Sequence, residues 1–213
     1  MALIYNGSQI DSLIYNGNET VGVWNGSVVW EPYAPVDPYN PLDLPANTIR
    51  CKLENGYNAY SMGDTQTLVD STNNVWDIYK QSNDWSYLLN GKHISEVLGA
   101  NTTNVMSMRY LLASNNSLTT VPLFDTSNVT DMYSMFDNCG QLTSIPLYDT
   151  TKVTNMTYMF YGCTKVQSGA LALYQQASSQ TTPPTAHQST FRNCGKDTDT
   201  GAAELAQIPD DWK

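Results

Sequence analysis

The segment Phe124-Asp-Thr-Ser-Asn-Val-Thr-Asp-Met-Tyr-Ser-Met-Phe136 returns 24 residues later as Tyr148-Asp-Thr-Thr-Lys-Val-Thr-Asn-Met-Thr-Tyr-Met-Phe160. One period upstream the apolar positions continue, giving the columns Val105/Val129/Val153, Met108/Met132/Met156, Leu111/Met135/Met159 and Leu112/Phe136/Phe160. Further columns are Leu118/Leu142/Val166 and Pro122/Pro146, with Leu88, Ile94 and Val97 as a worn first rung. A unit this short cannot bury its own apolar face, so a fixed period of this kind implies stacked units sharing one core. Within one unit, Val129, Met132, Met135, Phe136 and Cys139 stand at helical spacing and predict a short helix. Thr126 or Ser127 is placed to cap that helix, and Asn138 to Gly140 to stop it. Leu142 to Leu147 predicts a short strand with Leu142, Ile145 and Leu147 inward and Pro146 at a strand end or bulge. The Met, Phe and Leu columns are read as packing rather than as a ligand site.

The stretch FDTSNVTDMYSMFDNCGQLTSIPLYDTTKVTNMTYMFYGC resembles the BspA-like repeat of bacterial surface proteins, the mycoplasma-lipoprotein type of leucine-rich repeat. The close resemblance covers residues 94–166. It implies a surface or secreted protein engaged in adhesion, and related rungs also occur in phage tail and fibre proteins. The expected fold class is therefore α+β. It comprises a short leucine-rich-repeat-like solenoid with 24-residue rungs, a β-rich N-terminal cap and a small N-terminal β-hairpin module.

Residues 1–31 carry a second repetition, Leu3-Ile-Tyr-Asn-Gly7, Leu13-Ile-Tyr-Asn-Gly17 and Val23-Trp-Asn-Gly26, which predicts hairpins turning at Asn-Gly. Residues 32–46 hold Pro32, Pro35, Pro38, Pro41 and Pro45, the pattern of a semi-rigid spacer. The body is expected over residues 47–213. Strands are predicted at Ile49–Leu53, Thr67–Val69 and Val75–Tyr79, and a short helix after Ser82 carrying Trp85, Leu88 and Leu89. Beyond the third clear rung, Ala170 to Ser178 predicts a helix insertion, Thr181 to Thr185 a loop, and Ala202 to Ala206 a second helix.

The formal net charge of −10 and the lack of a Lys/Arg cluster exclude a nucleic-acid footprint and disfavour anionic membranes. No apolar run is long enough for a membrane span, so no membrane insertion is expected. Met1 to Asn6 lacks the basic start and long apolar run of a secretory signal. Cys139, Cys163 and Cys194 recur in Phe-x-x-Cys units, which favours reduced core thiols over two disulfides. His93 and His187 lie far apart with no ligand spacing, so neither metal nor cofactor is expected. Asp197-Thr-Asp199-Thr-Gly201 opens like a calcium loop but has Ile208 where the closing Glu belongs, and it reads as a turn. Asp125 and Asp149 repeat in register with Asn101, which suits a turn role better than catalysis, and no enzyme activity is expected.

Module, spacer and body together suit a phage virion structural protein of tail fibre, tail tip or head fibre type, binding a host-surface protein or glycan. The alternative is a bacterial cell-surface or secreted adhesin of the BspA-like repeat family. Residues 1–31 would attach to other virion proteins, and a homo-oligomer, most simply a trimer, is expected. The candidate binding residues are the outward positions Ser95, Glu96, Thr119, Thr120, Thr143, Ser144, Gln167 and Ser168, whose hydroxyls and amides can meet sugar hydroxyls. They also have the character of a solvated strand face.

Overall fold

The computed structural model describes residues 44–213 in full and, before them, the backbone of five strands. The chain divides into two compact units, Met1–Asn40 and Pro41–Lys213. In the first, β1 (Ile4–Tyr5) pairs antiparallel with β2 (Ser8–Gln9). There β3 (Ser12–Asn16), β4 (Glu19–Trp24) and β5 (Ser27–Trp30) form a three-stranded antiparallel sheet. The Asn-Gly turns and the proline spacer over 32–43 lie outside the described residues.

The second unit opens with β6 (Thr48–Leu53), β7 (Thr65–Asp70), β8 (Val75–Tyr79) and β9 (Ile94–Asn101), paired antiparallel in the order β7-β8-β6-β9. Alternation sets the register: Ile49, Cys51 and Leu53 of β6 are buried, while Arg50 points to the other face and forks onto Asp77 of β8 at 2.6 and 2.7 Å. Two short helices, α1 (Ala170–Ser178) and α2 (Asp199–Leu205), pack on the far end of the unit. Thr198 caps α2 by accepting from the Gly201 N–H, and the Glu204 carboxylate accepts from the Gly169 and Leu171 N–H groups at the start of α1.

The expected leucine-rich-repeat-like solenoid of helix-plus-strand rungs is not what forms. The regular structure is the small four-stranded antiparallel sheet with two short helices. Residues 126–140, expected to hold a helix, form turns and irregular chain with a bridge at Asp131, and Leu142–Leu147 is not a strand. Ser82 starts no helix either, and Ile94 and Val97, expected in a worn rung, belong to β9.

The reason lies in where the N–H groups go. Met132, Ser134, Phe136 and Asn138 donate to the carbonyls of Asn155, Thr157, Met159 and Tyr161 in the following repeat, at 2.7–3.0 Å. Met135, Asp137 and Cys139 donate three residues back within their own turn, and Tyr133 donates to the Asp131 carboxylate. Alternate donors thus leave the local chain, which no α-helix permits. Ser134 and Asn138 hold φ of 52° and 59°, a left-handed conformation that ends a helix as soon as it begins.

The apolar columns are nonetheless core. Val129, Met132, Met135, Phe136 and Cys139 are fully buried, as are their equivalents Met156, Met159, Phe160 and Cys163. Phe136, Phe160 and Phe191 stack at centroid distances of 5.1 and 6.0 Å, and Trp212 closes the row. The expectation for Leu147 fails: it is 53% exposed, while Leu142 and Ile145 are buried. Thr126, expected as a helix cap, is buried and donates instead to the Asp149 carbonyl of the next repeat at 2.8 Å, as Thr102 does to Asp125. Asp125 and Asp149 accept from the N–H two residues on, the turn role expected of them.

Candidate functional site

The Ser/Thr positions singled out from sequence do come together. Ser95 of β9 accepts from the Thr119 N–H, Thr119 from Thr143, and Thr143 from Gln167, so these four lie in one line. Ser144 and Ser168 form a parallel bridge beside it, Glu96 stands opposite Lys52 in the sheet, and Thr120 is exposed. Much of the strip's hydrogen-bonding capacity is committed internally. The Thr143 hydroxyl donates to the Thr119 carbonyl at 3.1 Å and the Ser95 hydroxyl to the Lys52 carbonyl at 3.2 Å. None of the eight residues lines a cavity described here.

A different face of the repeats carries a cleft of about 340 Å³. Its walls are Tyr110, Tyr133, Tyr158 and Tyr161, and its polar groups are Ser134, Asp137, Asn138 and Arg192. The tyrosines form a continuous chain. Tyr87 stacks on Tyr110 at 4.7 Å, and Tyr110 meets Tyr133 edge-on at 5.2 Å. Tyr133 meets Tyr158 at 5.9 Å, and Tyr158 meets Tyr161 at 5.7 Å. Arg109 lies 4.5 Å over the Tyr133 ring while ion-paired to Asp131 at 3.0 Å, which fixes that ring from behind. The hydrogen bond to Asp131 raises the Arg109 pKa, so the guanidinium stays charged.

The backbone under these rings is unusual. Tyr87, Tyr110, Ser134 and Tyr158 occupy one position in successive repeats, each donating its N–H to the next repeat, and all four hold φ between 51° and 62°. A left-handed conformation costs a non-glycine residue roughly 1–2 kcal/mol, and a bulky aromatic is a poor choice for it. Aromatics stand there against conformational preference, with Tyr87 53% and Tyr158 37% exposed. A side-chain hydrogen bond with Tyr110, helped by burial, holds the Tyr133 phenol above its usual pKa, so that hydroxyl stays neutral. Burial also raises the pKa of Asp137, whose carboxylate accepts from the Asn138 amide at 2.8 Å. The sequence signal for this site was present. Tyr87, Tyr110, Tyr133 and Tyr158 recur close to the 24-residue period, but attention to apolar columns passes over them.

Elsewhere the chemistry is quiet. All four cysteines are free and buried, in keeping with the reduced thiols expected. Burial pushes Cys139 up to about 12 and raises Cys51, Cys163 and Cys194 as well. The Cys139 and Cys163 thiols donate to the Leu112 and Phe136 carbonyls, both at 3.1 Å. Among the described residues no cluster of His, Cys, Asp or Glu is built to hold a metal ion. No described helix is long and apolar enough to cross a membrane. A second cleft of about 330 Å³ lies on the sheet, lined by Pro45, Thr48, Thr65, Thr67, Asp77 and Tyr79.

Fold and cleft together define a protein of short sequence repeats, preceded by an antiparallel sheet, that presents an aromatic groove with one carboxylate and one guanidinium. The chain belongs to the family described as Mycoplasma protein of unknown function, DUF285, whose family model matches residues 62–197, more than half its length. That match agrees with the mycoplasma-lipoprotein type of repeat read from residues 94–166. No curated protein and no solved structure matches the chain.

Proposed function

We propose that this protein is a recognition component of a phage virion, of tail fibre, tail tip or head fibre type, that holds host-surface glycans in the tyrosine cleft. The observation that carries the reading is the chain of ring-contacting tyrosines around Asp137, Asn138 and Arg192, two of which, Tyr110 and Tyr158, hold left-handed backbone positions. Aromatic faces accept the apolar faces of sugar rings, and carboxylate, amide and guanidinium groups accept or donate to their hydroxyls. The separate compact unit at the N-terminus supports attachment to other virion proteins through residues 1–31, and a trimer is the assembly we propose. Binding is favoured over catalysis because the cleft's lining holds one carboxylate, Asp137, whereas most glycoside hydrolysis uses a pair.

The second reading is a bacterial surface adhesin, favoured by the family match over residues 62–197. Immunogold labelling with antibody to residues 47–213 separates the two. Gold on phage tails or head fibres supports the virion reading; bare particles beside decorated bacterial cells support the adhesin. The cleft itself is tested on a glycan array with the Tyr133→Ala, Tyr158→Ala double variant. Binding that survives the double substitution undiminished removes the cleft as the recognition site.

A further inference from the structure

Resting on the glycan reading of the cleft, we infer that its ligand carries an anionic group, a carboxylate or a phosphate. That group is seated on Arg192, while hydroxyl or amide donors of an adjoining sugar face Asp137.

The argument begins with the repeat register. The carbonyls of Ala113, Asp137, Tyr161 and Arg192 accept in turn from the N–H groups of Gly91, Ser114, Asn138 and Gly162, at 2.7–2.9 Å. These four residues are therefore one position on four successive repeats. Asp137 and Arg192 stand two steps apart, about 10 Å at the roughly 4.8 Å spacing of hydrogen-bonded neighbours, with Tyr161 on the step between. That separation keeps the two charges from neutralising one another, and no ion pair joins them among the described residues.

Arg192 also differs from the other arginines. Arg50 is held by Asp77, and Arg109 by Asp131 and the Tyr133 ring. The Arg192 side chain is exposed on the cleft wall and makes no hydrogen bond or ion pair with any described residue. A guanidinium presents a planar fork of donors that matches a carboxylate or phosphate in bidentate fashion. The chain as a whole carries −10, so its general field repels anions and gives no non-specific attraction to account for such binding. One unengaged guanidinium at the end of an aromatic groove, on an acidic protein, is a local and selective anion seat. Its distance from Asp137 spans about two sugar rings.

The test uses the full chain and three sets of immobilised oligosaccharides: uronate-containing, phosphate-bearing, and their neutral parents. The wild-type chain is expected to bind at least one anionic set about tenfold or more tightly than its neutral parent, and the preferred set tells carboxylate from phosphate. Arg192→Gln is expected to lower anionic binding about tenfold or more and neutral binding far less, so that the preference is lost, with the melting temperature unchanged and Arg192→Lys restoring part of the preference. Equal binding of anionic and neutral glycans by the wild-type chain, with Arg192→Gln without effect, overturns the inference and leaves the cleft reading intact. Loss of neutral and anionic binding alike in Arg192→Gln also overturns it. If no set binds, or the Tyr133→Ala, Tyr158→Ala double variant retains every affinity, the cleft reading itself fails and takes this inference with it.

Discussion

Phe160→Ala is the substitution that most directly asks whether the repeat columns hold the cleft in place. Phe160 is fully buried, and its ring lies between Phe136 at 5.1 Å and Phe191 at 6.0 Å, nearly parallel to both. Truncating a buried Phe to Ala costs about 3–5 kcal/mol from lost transfer energy and the cavity left behind. Each of the two lost aromatic pairs accounts for about 0.5–1.5 kcal/mol beyond area burial. Neighbouring rings cannot collapse into the gap easily, because Phe191 is itself backed by Trp212. The upper half of the range, about 4–5 kcal/mol, is therefore expected. For a unit of this size that lowers the melting temperature by roughly 8–20 °C. The assay is thermal and urea unfolding followed by circular dichroism, beside Tyr158→Ala two residues away. Tyr158 is partly exposed, so its loss is expected to cost well under half as much while abolishing glycan binding. A Phe160→Ala loss below about 1 kcal/mol, or one equal to that of Tyr158→Ala, refutes the claim that the phenylalanine column is the core beneath the cleft.

The pKa of Asp137 is raised in the fold by burial, so its charge is a stability cost above that folded value, relieved as pH falls through it. Asp137→Asn is accordingly expected to raise the melting temperature at pH 7 and to lose that advantage below about pH 3.9, the unfolded value, while weakening glycan binding. A variant that melts lower than wild type at pH 7 contradicts this. Ser114 holds φ of 59° at the repeat position that Gly162 fills with φ of 71°, so Ser114→Gly should stabilise by roughly 0.5–1 kcal/mol in urea titration. Gly201 packs so closely on the Val166 carbonyl and Thr198 hydroxyl that a Cβ has no room. Gly201→Ala is expected to cost about 1–3 kcal/mol and loosen α2, read as earlier hydrogen exchange there.

What was readable in the sequence was whatever depends on side-chain character at a fixed period. The Val, Met and Phe columns had to be inside, and Met132 and Phe160 are. The strands at 49–53 and 75–79 and the helix over Ala170–Ser178 follow from local pattern and form as expected. The helix expected over 129–139 fails for a definable reason. Donors that bond three residues back in tight turns bury nearly the same positions as a helix does, so hydrophobic spacing alone cannot tell the two apart. The deciding facts are the left-handed Ser134 and Asn138 and the destination of alternate N–H groups, which depend on the neighbouring repeat. Tyrosine hid the cleft because it counts as apolar in composition yet can stand at the surface with its ring exposed, as Tyr87 does.

The contrast between columns is what separates architecture from function in this chain. Inward positions keep one chemistry from repeat to repeat: Met108, Met132 and Met156 are all methionine and all fully buried. Turn positions do the same, with Asp125 and Asp149 each accepting from the N–H two residues on. The position shared by Ala113, Asp137, Tyr161 and Arg192 changes chemistry at every step, although the backbone hydrogen bond it makes does not change. A fold that needed only a solvated side chain there would be served by any small polar residue. Three of these four groups line one cleft, a carboxylate and a guanidinium held apart by an aromatic ring, and that arrangement is what the proposed recognition of an asymmetric ligand would require. The repeat supplies evenly spaced mounting points, and on the proposed reading specificity resides where the repetition breaks.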